Sequence, residues 1–125
     1  MHEVSICEVL VRAILEELQR LEVRPQRLRR ARVAAGRLRQ IVPDNMDMAY
    51  RACTAGTAID GSALELRETP AVATCPACGW RGEIRPPFFR CGACESLEVR
   101  VESGMELYLE NLELETDDDG DPGLP

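Results

Sequence analysis

Four of the chain's six cysteines stand in two C-x2-C pairs, "CPACGW" at Cys75 and Cys78 and "CGAC" at Cys91 and Cys94, with twelve residues between the pairs. Two residues between sulfurs let one tight turn present both and aim backbone amides at them. Gly79 and Gly92 relieve crowding in those turns. Four thiolates suit a tetrahedral ion, zinc first, and iron in a rubredoxin-like carrier would use the same set. No histidine or carboxylate interrupts the set. The site therefore reads as closed, one that holds structure and does not activate water. Trp80, Phe88 and Phe89, most of the few aromatics, cluster around it. A lobe of about twenty residues is too small for a stable core, so metal binding has to supply its folding energy.

The second group that could do chemistry is the start of the chain, "MHEVSIC", which holds the only histidine. An α-amine titrates near pH 8 and loses its proton cheaply near neutrality. With the His2 imidazole and the deprotonated amides of His2 and Glu3 it would offer four nitrogens in a plane, the preference of Ni(II) and Cu(II). The Glu3 carboxylate could bind axially or hydrogen-bond to a ligand. A bulky His2 is expected to keep Met1 in place. The bland alternative is a solvated terminal histidine with no role.

Positioning these groups requires an ordered frame. "SICE" reads as a capping box, with Ser5 and Glu8 closing the start of a helix and Val4 and Val9 as the staple around it. Cys7, Leu10, Val11, Ile14, Leu18 and Leu21 recur at helical spacing, so a helix is expected over 5–21. Residues 24–39 carry seven arginines and no acid, with a period that fits a strand ending at Gly36 or a helix. "VPDNMDMAYRACTAG" reads as a second helix that starts at Pro43 and Asp44, faces the core with Met46, Ala49, Tyr50 and Cys53, and stops at Gly56. "IDGS" is a turn and "ALELR" a short strand. After the cysteine block "LEVRV" alternates, and "MELYLENLELE" alternates with a slip near Asn111 that suggests a bulge. "TDDDGDPGLP" reads as a disordered acidic tail. Cys7 and Cys53 fall on the apolar helix faces and read as buried small hydrophobes, against a redox or auxiliary metal role.

The order predicts an α+β domain, a small sheet with two helices, interrupted by a zinc-ribbon-like lobe. The 125 residues allow one domain with a small second lobe. All 15 cationic residues are arginine, and the net charge of −7 argues against a general nucleic-acid binder. No segment approaches the roughly 20 apolar residues of a membrane span, and the N-terminus lacks the pattern of a signal peptide. A cytoplasmic protein is expected, in which six cysteines are thiols or metal ligands before disulfides. No second histidine, open metal position or nucleophile–base pair suggests an enzyme.

The start "MHEVSICEVL", Gly36 closing an Arg-rich segment, "VPDNMDMAYRACTAGTAIDGSALEL", the paired knuckles and "MELYLENLELE" together resemble the HypA/HybF hydrogenase nickel-incorporation proteins, over about residues 1–115. The resemblance implies a nickel metallochaperone that is not an enzyme, binding Ni2+ at Met1, His2 and Glu3 and structural Zn2+ at Cys75, Cys78, Cys91 and Cys94. It implies work with a HypB-type GTPase, delivery to the [NiFe]-hydrogenase large-subunit precursor and, in some organisms, service to urease maturation. It implies a nickel-binding domain of 1–70 and 97–115, a zinc lobe over 71–96 inserted between its strands, a tail over 116–125, and a strand over 27–35. Two departures stand out: Glu95 follows the last cysteine where the family often has glycine, and the 27–35 strand is unusually basic. Its arginines must face outward or meet acids, of which residues 95–121 carry eleven. The competing expectation is a zinc-ribbon adaptor that binds nucleic acid or protein through the Arg-rich segment 24–39.

Overall fold

A computed structural model of the protein describes residues 2–115. Met1 and the acidic tail expected over 116–125 lie outside the described residues. Helix α1 spans His2–Arg20, strand β1 Leu28–Gly36, helix α2 Pro43–Thr54 and strand β2 Ala63–Thr69. Short strands β3 (Ala71–Thr74), β4 (Arg81–Ile84) and β5 (Arg100–Ser103) follow, and β6 runs Leu107–Leu114. One three-stranded sheet has the order β2-β1-β6 and a second has the order β4-β3-β5. By contacts the chain divides into two compact units. The first holds Met1–Val33, Val42–Leu66 and Leu109–Pro125; the second holds Ala34–Ile41 and Arg67–Tyr108. The cysteine block falls wholly in the second.

The first helix starts earlier than the capping box suggests. Ser5 and Glu8 lie inside α1, Val9 is 58% exposed and no staple forms, and Leu21 falls beyond the helix end. The cause is a tertiary hydrogen bond. The Val42 amide donates to Glu3 Oε2 at 3.2 Å, which draws residues 2–4 into the first turn. An acid in that turn also faces the positive end of the helix. Cys7, Leu10, Ile14 and Leu18 then bury one stripe of α1, and α1 packs against α2. Helix α2 begins as expected, with Pro43 in its first turn where no amide bond is lost. Its buried face is Met46, Ala49, Tyr50 and Thr54, while Cys53 is half-buried. The Tyr50 hydroxyl and Ser62 Oγ lie 2.7 Å apart, so the buried phenol is satisfied. Gly56 adopts φ +78° just past the helix end.

The Arg-rich segment is a strand after a 3-10 turn at Pro25–Arg27. Its alanines and Val33 bury while its arginines meet acids. Arg32 Nε lies 2.7 Å from Glu65 of β2, and Arg30 lies 3.3 Å from Glu113 of β6. The burial of β6 alternates from Leu107 to Glu110 and then slips, with Glu110 and Asn111 both exposed. The strand expected over 97–101 instead forms over Arg100–Ser103. The second cysteine turn extends to Ser96, whose carbonyl accepts the Cys91 amide, and Leu97 just beyond it is 78% exposed.

In the second unit, Ala71, Ala73 and Ile84 form a small core, packed by Leu38, Trp80 and Val99. Gly36 is required there. A β-carbon on it would come within 1.9 Å of the Gly104 carbonyl oxygen, which accepts the Leu38 amide at 2.9 Å.

Candidate functional site

The four knuckle cysteines converge. Their Sγ atoms all lie within 4.8 Å of one another, with Cys78–Cys91 at 3.5 Å and Cys75–Cys94 at 3.7 Å. A tetrahedron of sulfurs around an ion at 2.3 Å has edges of about 3.8 Å, so the donor set fits a four-thiolate metal site. The two turns share one design. Gly79 N donates to Cys75 O at 2.8 Å and Glu95 N to Cys91 O at 3.1 Å. Cys75 N then donates to Trp80 O, and Cys91 N to Ser96 O. Glu95 adopts φ +63°, close to the +82° of Gly79, so the second turn keeps its shape without glycine.

The amides of Ala93 and Cys94 both point at Cys91 Sγ, each at 3.2 Å. Burial pushes the Cys91 thiol up, but these amides together with the Cys78 and Cys94 sulfurs outweigh it and bring it down to about 6. Cys78 moves the other way, to about 12. The Trp80 amide pulls it down, and the Cys91 sulfur, burial and the Cys75 and Cys94 sulfurs together push it up further. Four thiolates this close repel one another unless a cation lies among them, and that is what the arrangement asks for. Trp80 covers the cluster's backbone: added β-carbons at Gly82 and Gly92 would meet its ring at 2.4 and 2.8 Å.

At the other candidate site, His2 begins α1 with its side chain 52% exposed, and its Nδ1 lies 3.5 Å from Glu3 Oε1. Glu3 is buried, and the Val42 amide holds its carboxyl below the usual carboxylate range. The amides of the first helical turn have no intrahelical acceptor, so those of His2 and Glu3 stay outside the helical ladder even though the helix starts early. Met1, the third residue of this candidate site, lies outside the described residues. Sequence reasoning missed the Glu3–Val42 bond, because no local signal marks a partner 39 residues away.

Cys7 behaves as a small hydrophobe. Burial pushes its thiol up to about 11, with Cys53 and Glu3 adding to the effect, and its sulfur lies 3.6 Å from Met46 Sδ. Four of the seven arginines in the Arg-rich segment are tied into the fold. Besides Arg30 and Arg32, Arg37 pairs with Glu68 and Glu83, and Arg39 donates to the carbonyls of Met105 and Glu106. Among the described residues no helix is long and apolar enough to cross a membrane.

Two helices, small sheets and an inserted four-thiolate knuckle pair define a small α+β protein of the metal-handling kind. The particular family follows from comparison. The model described as "Hydrogenase/urease nickel incorporation, metallochaperone, hypA" matches residues 1–114, and the chain belongs to this HypA family. A hydrogenase maturation factor HypA from Chlorobium limicola is 34% identical over 118 residues, covering 94% of this chain and 100% of that one. Another from Solidesulfovibrio magneticus is 37% identical over 119 residues, covering 92% and 100%. The fold is also that of the solution structure of the Ni metallochaperone HypA from Helicobacter pylori, with TM-score 0.61 at 17% identity, covering 92% of this chain and 98% of that one. Family members are maturation factors, not enzymes.

Proposed function

We propose that this protein is a nickel metallochaperone for hydrogenase maturation, taking up Ni(II) at Met1, His2 and Glu3 and passing it to the [NiFe]-hydrogenase large-subunit precursor. The family match over residues 1–114 is the observation that carries this reading. The half-exposed imidazole of His2 and the amides of the first helical turn, which have no intrahelical acceptor, support the choice of ligands. The planar set would be the amine of Met1, the amides of His2 and Glu3, and the His2 imidazole. Such nitrogens are reprotonated or displaced one at a time, which lets a recipient remove the ion without a high barrier. Glu3, tied to Val42, orients the first turn and lays a negative charge beside the imidazole.

Cys75, Cys78, Cys91 and Cys94 would hold zinc, which when bound supplies the cross-link that closes the knuckle lobe. A HypB-type GTPase is the proposed nickel-handling partner. Urease is the second target that the family's description names.

The test is a Ni(II) titration of untagged, zinc-loaded protein at about pH 7.5, near the amine pKa, followed by d–d absorption. The expected result is one equivalent with a square-planar spectrum, lost in His2→Ala and in a chain extended by one residue before Met1. Equal binding by His2→Ala would overturn the terminal site. Equal binding by the extended chain would remove the amine from it.

A further inference from the structure

The second sheet has an open edge. Its order β4-β3-β5 pairs β5 with β3 on one side, and among the described residues no strand lies on the other. Arg100, Val101 and Glu102 of β5 are all exposed, and Leu97 just before it is more exposed still. Such an edge can accept another strand, and proteins usually blunt it with charges that repel a copy. The charges on this edge attract one.

Residues 97–101 read "LEVRV". Val99 packs on the core of the second unit and Val101 stands opposite Ala73 in the ladder, so the odd-numbered residues make the apolar face. Glu98 and Arg100 fall on the other face. Among the described residues neither has a charged partner, whereas Glu102 is held by Arg81 at 2.9 Å. An antiparallel copy of the same segment, centred on Val99, matches this pattern throughout. Glu98 meets the copy's Arg100, and Arg100 meets the copy's Glu98. Val99 meets its own counterpart, and Leu97 and Val101 meet each other on the apolar face.

The neighbouring registers are worse. A slip by one residue sets valines against charges. Centring on Arg100 sets arginine against arginine. Centring on Val101 uses Glu102, which Arg81 already holds, and brings Glu98 against Gly104, whose carbonyl already accepts the Leu38 amide.

We infer that the outer edge of β5 joins a second copy of this chain in a twofold antiparallel pair centred on Val99. The two small sheets then become one of six strands, ordered β4-β3-β5-β5-β3-β4. The strand lengthens back to Leu97, the start that its alternating sequence predicts. No residue of the first unit takes part in the pairing.

Sedimentation equilibrium of the full-length, zinc-loaded chain tests this. The wild type is expected to show a reversible monomer–dimer equilibrium. Glu98→Arg turns both cross pairs into arginine against arginine, and Arg100→Glu turns both into glutamate against glutamate. Each is expected to weaken the dimer about tenfold or more, because the twofold axis doubles every change. The double variant Glu98→Arg with Arg100→Glu restores opposite charges in both pairs and should restore the dimer. Both positions are exposed, so zinc content and Trp80 emission should stay as in the wild type. A wild-type chain that remains monomeric at the highest concentration reached would overturn the pairing. So would a dimer that tolerates both single reversals, or a double variant as weak as the single ones.

Discussion

The two units are built on opposite principles. The first buries long side chains, Leu10, Ile14, Leu18, Met46 and Tyr50, between two helices. The second has a core of two alanines and one isoleucine, and two turns whose four sulfurs converge. Apolar burial contributes about 25 cal/mol per Å², and alanines offer little area to bury. The first unit therefore has apolar burial of its own to rest on, while the second has little and, on the proposed reading, would lean on the ion its four sulfurs hold. A carrier that released both ions would lose part of its own fold with its cargo.

The sharpest way to break this comparison is to remove the knuckle ion. Structural zinc supplies about 10 kcal/mol or more in knuckle-type lobes. A strong chelator at neutral pH is expected to unfold the knuckle lobe and leave the helices. The single tryptophan, Trp80, lies over Gly82 and Gly92 of the lobe and reports on it alone. Its emission should shift to the red while the helical circular dichroism persists. Loss of both signals at one chelator concentration would show a single cooperative unit instead.

The converse substitution strikes the first unit. Ile14 is fully buried on α1. Ile14→Ala should cost about 2–5 kcal/mol and lower the thermal midpoint of the helical signal by roughly 10–20 °C. Metal content and Trp80 emission at 25 °C should be unchanged. A variant that loses zinc in step with its helices would join the two units energetically.

What could be read in advance follows the same division. The convergence of the knuckle was legible because two C-x2-C pairs at this spacing predict that four sulfurs come together, and they do. Helix α2 was legible from Pro43, its apolar stripe and Gly56. The start of α1 was misread because Ser5 and Glu8 offer a local cap that loses to the Val42 amide, a partner on another element. Strand β1 was ambiguous because its arginines hide the strand period until Glu65 and Glu113 are seen opposite them. Strand β5 was displaced because Leu97, which alternates as if in a strand, follows directly on the second knuckle turn and stays exposed. Local chemistry was readable and tertiary partners were not.

A smaller effect probes the joint between α1 and α2. The Val42 amide holds the Glu3 carboxyl below its usual range. A carboxyl depressed in the folded state adds stability that is complete above the unfolded pKa, about 4.3, and is lost as pH falls through the folded value. Glu3→Gln should therefore lower helical stability near neutrality, and the gap to wild type should close in acid below about pH 4. A gap that does not change with pH would mean that the ionised form of Glu3 contributes nothing.

The finest comparison lies inside the knuckle pair itself. Gly79 and Glu95 hold equivalent places, each closing its turn onto the carbonyl of the pair's first cysteine, and both have positive φ. For a residue with a β-carbon that conformation costs about 1–2 kcal/mol, and glycine gives back part of the saving through its freer unfolded chain. Glu95→Gly should then stabilise the lobe by about 0.5–1 kcal/mol, a few-fold in zinc retention against a competing chelator. Gly79→Ala should lose a similar amount, and cleanly, since a β-carbon there meets nothing within 4 Å. If Glu95→Gly instead weakens zinc retention, the glutamate side chain contributes more to the second turn than its backbone strain costs.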